Sequence, residues 1–83
     1  MRITVKYFAS IREALDRGVE EVQTGAQTLG ALREELLERG GDYGQCLAHG
    51  KAVRMALNQV MSDGSAVLRD GCEVAFFPPV TGG

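Results

Sequence analysis

The sequence predicts an α+β domain in which helices pack on one face of a small mixed sheet. Three observations carry that expectation. Apolar and polar residues alternate at both ends of the chain, as in half-buried strands. One central stretch repeats its leucines at helical spacing. No internal repeat or linker divides the 83 residues, so every element must share one core. With 45% apolar and 24% charged residues the chain can build that core instead of remaining disordered. A chain of this size hides only about 60% of its unfolded surface, which leaves little interior for a deep substrate pocket. A self-contained enzyme is therefore not expected.

Ile3, Val5 and Tyr7 fall on one face of the opening segment and Arg2, Thr4 and Lys6 on the other, which predicts a strand. Ser10 and Glu13 have capping-box spacing, so a short helix is expected to start at Ser10 and run to about Arg17, with Gly18 as its stop. Val19 to Gln23 reads as a weak strand. Thr28 then precedes the main helix, with Leu29, Leu32, Leu36 and Leu37 on one side. Arg33, Glu34, Glu35, Glu38 and Arg39 are expected mostly on the other, and Gly40-Gly41 ends the run. Residues 42–51 lack a period and read as a loop with at most one helical turn around Tyr43 to Leu47. Strand signals return where Val53, Met55 and Leu57 alternate with Arg54, Ala56 and Asn58. Asn58-Gln59 and Ser62-Asp63-Gly64 bracket a very short strand at Val60-Met61. Arg69-Asp70-Gly71 is a further turn, and Cys72 to Phe77 is the last strand.

Several function classes are set aside by charge and composition. Nine Lys plus Arg against eleven Asp plus Glu give a net charge of −2, with no basic stripe for nucleic acid. No segment approaches the roughly 20 apolar residues of a membrane span. The first ten residues lack a positive head followed by an apolar block, so a cytoplasmic protein is expected. Cys46 and Cys72 lie far apart and His49 is the sole histidine, which argues against a structural metal site; two reduced thiols are expected.

The most informative segment follows the last strand. Residues 1–77 are expected to form the domain and Pro78, Pro79, Val80, Thr81, Gly82 and Gly83 a projecting tail. Two prolines cannot donate within a sheet, so the chain should leave Phe77 in an extended form. Six extended residues reach roughly 20 Å, at ~3.3–3.6 Å each, enough to enter another protein's channel. Gly82 and Gly83 lack a Cβ and can pass a constriction, bringing the α-carboxylate with them.

Phe-Phe-Pro-Pro-Val-Thr-Gly-Gly at the end, Leu68 to Gly71 before the last strand, Asn58-Gln59, and Phe8-Ala9 through Arg12-Glu13 together resemble the MoaD family, the small subunits of molybdopterin synthase. The resemblance spans the whole chain, and its specificity rests on the last eight residues. It implies a ubiquitin-like β-grasp fold and a sulfur-carrier role. An E1-like activating enzyme of the MoeB type would use ATP to adenylate the carboxylate of Gly83. A donor such as a cysteine desulfurase or rhodanese would then convert the acyl adenylate to a thiocarboxylate. The tail would enter the large subunit, MoaE, and give its sulfur to cyclic pyranopterin monophosphate, two carriers being consumed per dithiolene formed. The implied assembly has two small subunits flanking two large ones. No cofactor or metal would be bound permanently, and acid-base groups would come from the receiving enzymes, in keeping with the lack of a catalytic constellation on this chain. Other readings of the same tail are a ThiS-like carrier for thiamine synthesis and a ubiquitin-like modifier joined to lysines through Gly83.

A partner surface can also be read. With Val74 and Phe76 inward, Phe77 points outward; with Tyr7 inward, Phe8 falls on the opposite face or in the turn. The family fold would make the first and last strands parallel neighbours and bring the two rings together beside the tail. Phe77 reads as a docking residue. Phe8 and Met61 fit docking or a corner of the core equally, and Arg12 either meets a partner or covers the sheet edge.

Overall fold

The computed structural model describes residues 1–79; the expected roles of Val80, Thr81, Gly82 and Gly83 lie outside the described residues. The elements are β1 (Arg2–Tyr7), α1 (Ala9–Leu15), β2 (Val19–Gln23), α2 (Leu29–Leu37), α3 (Gly41–Cys46), β3 (Arg54–Leu57), β4 (Val60–Ser62) and β5 (Glu73–Phe77). They form one sheet in the order β2-β1-β5-β3-β4. β1 and β5 run parallel, while β1–β2, β3–β5 and β3–β4 are antiparallel. The inward sides of β1 and β5 supply Ile3, Val5, Tyr7, Val74 and Phe76, all buried in one cluster with Ile11, Leu15, Leu29, Leu32, Leu36 and Leu47 from the helical layer. The helices thus cover one face of a mixed sheet, the β-grasp arrangement.

The start of α1 departs from the capping box. Phe8, not Ser10, is the N-cap, and no side chain caps the helix. The Phe8 N–H donates to the Phe76 carbonyl at 3.1 Å, so the parallel ladder holds the chain one residue beyond β1. Ala9 then turns at φ 52°, and Ser10 is already inside the helix. The helix also ends before Gly18, because Asp16 takes the left-handed cap conformation at φ 54°.

In α2 Thr28 is the N-cap, its hydroxyl accepting from the Ala31 N–H at 3.2 Å. Gly30 sits in the first turn because the loop after β4 crosses there: its N–H donates to the Gly64 carbonyl at 2.9 Å, and a Cβ would lie 3.1 Å from that oxygen. Arg33 is a correction to the helical wheel. Only 9% exposed, it donates from Nε to the Leu47 carbonyl at 2.8 Å and from Nη2 to the Ala48 carbonyl at 2.9 Å. The guanidinium satisfies carbonyls at the C-terminal end of α3, which explains why that loop-like sequence holds a helix. Asn58 and Gln59, at φ 49° and 69°, form the two-residue turn between β3 and β4, whose last pair is Leu57 with Val60.

Candidate tail-exit and docking site

β5 ends at Phe77, and Pro78 and Pro79 continue half-buried from it. Two different surfaces flank this exit. On the helical side Pro78 joins Ile11, Ala14, Cys46, Lys51 and Val53 around a shallow groove between α1 and α3. Burial, with Asp42 adding to it, pushes the Cys46 thiol up, so this half-buried sulfur is not activated as a nucleophile. On the open face of the sheet Phe77 meets Phe8 edge to face, with ring centroids 6.4 Å apart. The rings meet because Tyr7 pairs with Phe76 in the parallel register, which sets the next residue of each strand side by side.

Phe8 is 44% exposed although it sits at the end of a core strand. Met61, 54% exposed, lies two strands away from β5 on the same face, where the register places Lys6, Ala75, Ala56 and Met61 in one row. The exposed Arg12 side chain reaches Gly18, with Nε 3.1 Å from where a Cβ there would stand. Phe77 and Phe8 thus stand together where Pro78 and Pro79 leave β5, Met61 lies on the same face two strands away, and the Arg12 side chain reaches Gly18.

A polar cluster behind the exit was not foreseen. Glu20 accepts from the Tyr7 hydroxyl at 2.8 Å, the Tyr43 hydroxyl at 2.7 Å, Arg39 at 2.9 Å and Arg17 at 3.2 Å. Burial raises the Glu20 carboxyl, but hydrogen bonds from Arg39, Tyr43 and Tyr7 outweigh it and hold the group below its ordinary value of 4.5. Burial and the same carboxylate push Tyr7 far up and raise Tyr43. Tyr7 also stacks on Phe76 at 6.2 Å, so the cluster fixes the strand end that launches the tail. The available sequence signal was Tyr7 itself, since a tyrosine on a core face needs a partner for its hydroxyl.

Among the described residues no group of three His, Cys, Asp or Glu side chains is placed to hold a metal ion. No described helix is long and apolar enough to cross a membrane. The candidate site consists of the chain leaving β5, the Phe8–Phe77 pair and a half-buried polar cluster around Glu20.

The sheet order and its helical layer define a ubiquitin-like β-grasp domain. Residues 5–83 match the ThiS family, and the chain belongs to it. It is 40% identical over 81 residues to the molybdopterin synthase sulfur carrier subunit of Escherichia coli K12, covering 98% of this chain and 99% of that protein. The molybdopterin synthase sulfur carrier subunit of Mycobacterium tuberculosis is 41% identical over 86 residues, covering 100% of this chain and 99% of the relative. Among solved structures, a chain of the complex of subunits 1 and 2 of molybdopterin-converting factor from Helicobacter pylori superposes with a TM-score of 0.69. It is 28% identical, with complete coverage of both chains.

Proposed function

We propose that this protein is the sulfur-carrier subunit of molybdopterin synthase, with Gly83 as its reacting residue. The observation that carries the reading is the near-complete, 40% identical match to a sulfur carrier subunit of that enzyme. The half-buried Pro78 and Pro79, which follow β5 directly after the Phe8–Phe77 pair, support it. In the first step the Gly83 carboxylate attacks the α-phosphorus of ATP on an E1-like enzyme and pyrophosphate leaves. In the second, the terminal sulfur of a donor persulfide attacks the acyl carbon and AMP leaves, so a poor leaving group is never required. A dithiol reductant then cleaves the acyl disulfide, leaving the thiocarboxylate on Gly83, the donor cysteine as its thiol and the reductant as a disulfide. The tail, Val80 to Gly83, then enters the large subunit, where the thiocarboxylate sulfur displaces an oxygen substituent of the pterin precursor and water hydrolyses the resulting thioester, leaving the sulfur on the pterin and returning the Gly83 carboxylate. Phe77, Phe8 and Met61 dock, the prolines direct the tail, and Arg12 serves the fold.

The test is intact mass after incubation with activating enzyme, ATP and a sulfur source. One oxygen-to-sulfur exchange per chain is expected, and none after deletion of Gly82-Gly83. Full synthase activity in that deletion would sink the reading, and isopeptide-linked adducts in cells would mark a modifier instead.

A further inference from the structure

The open face of the sheet carries more than the aromatic pair. Ala75 and Ala56, paired across β5 and β3, are only 9% and 6% exposed, although neither belongs to the core cluster beneath the helices. These small side chains make a low floor bounded by Phe77, Lys6 and Met61, longer residues on neighbouring positions of the same face. A protruding apolar side chain fits such a floor. The cations around it differ. Lys6 is occupied by Glu73 at 3.2 Å. Arg54, directly opposite Phe77 in the β3–β5 register, is exposed and makes no ion pair or side-chain hydrogen bond among the described residues.

We propose that Arg54 is a specificity-determining cation of the docking face, and that it meets an Asp or Glu carboxylate which the large subunit presents beside an apolar anchor. The proposal rests on the docking reading above. Opposed residues in adjacent strands are about 5 Å apart, so Arg54 stands beside Phe77 and the tail exit. The whole chain carries a net charge of −2 and at long range disfavours an acidic partner. Screening over about 8 Å at physiological salt removes most of that repulsion, whereas the local cation acts inside this distance. Arg also suits planar two-point recognition of a carboxylate, which a lysine does not reproduce.

The test is association kinetics with the purified cognate large subunit at low and high salt. Arg54→Glu is expected to slow association by about tenfold at low salt and to differ little at high salt, while Arg54→Gln falls between. Phe77→Ala, measured alongside, reports the docking reading itself through faster dissociation. If Phe77→Ala weakens binding and Arg54→Glu associates like the natural chain, the carboxylate inference is wrong while docking stands. If Phe77→Ala binds normally, this face is not the docking surface and both fail. Thermal melting of each variant verifies folding, and Arg54→Lys at the wild-type association rate but with faster dissociation identifies the two-point contact.

Discussion

Phe76 and Phe77 are adjacent in sequence and opposite in environment, and this makes them a paired experiment. Phe76 is fully buried and stacks on Tyr7 at 6.2 Å. Truncating it to alanine removes a core ring and should cost about 3–5 kcal/mol. Phe77 is half-buried and loses one edge-to-face contact with Phe8, at 6.4 Å, plus partial burial. That amounts to about 1–2 kcal/mol. A domain of this size shifts its melting temperature by about 4–8 °C per kcal/mol. Phe77→Ala should therefore melt about 5–15 °C lower and remain folded at 25 °C, whereas Phe76→Ala should fall further, in proportion to its larger cost. Binding reverses the order for the folded protein. An aromatic anchor at an interface centre is worth about 2 kcal/mol or more, so Phe77→Ala should weaken the large-subunit complex about 30-fold or more. Calorimetric titration and thermal melts on the same samples decide the matter. A Phe77→Ala protein that loses 3 kcal/mol or more of stability yet keeps its Kd would show that the ring is core and that the docking argument is wrong.

Glu20→Ala should destabilise the fold by about 2–4 kcal/mol, since it strands the buried Tyr7 hydroxyl and removes charged hydrogen bonds. Because the folded Glu20 lies below its ordinary value, its contribution is complete above pH 4.5 and is lost as pH falls toward the folded pKa. Glu20→Gln should accordingly flatten the acid limb of a stability-pH profile measured by urea unfolding. Arg33→Ala should cost about 2–3 kcal/mol by leaving the Leu47 and Ala48 carbonyls without their charged donor, and amide exchange in α3 should rise most; unchanged protection there would reject that role.

Periodicity made most of the fold legible. Ile3, Val5, Tyr7, Val74 and Phe76 show their buried face by alternation, and Thr28 with the leucines shows the main helix. The strand order was not in that pattern; the family resemblance supplied the parallel β1–β5 pair. The misplaced start of α1 has a tertiary cause, since the Ser10-Glu13 spacing is a local signal and the Phe8 hydrogen bond to Phe76 overrides it. Arg33 looked like a solvent residue because its acceptors lie in a segment without period. The tail-exit surface was readable at Phe77, which breaks alternation. The Glu20 cluster was not, because only Arg17 is near it in sequence while Tyr7, Arg39 and Tyr43 lie 13, 19 and 23 positions away.

The parallel pairing of β1 with β5 has a consequence for biosynthesis. The amide of Arg2 is held by Asp70, 68 positions away, and Phe8 by Phe76, so the centre of the sheet joins the two extremities of the fold. Long-range pairing of this kind closes late, after the loop entropy between the ends has been overcome. Phe8 and Phe77 become one surface only then. A nascent or truncated chain that lacks β5 lacks the Phe8–Phe77 pair, so under the proposed function a partner that grips both rings would select folded molecules.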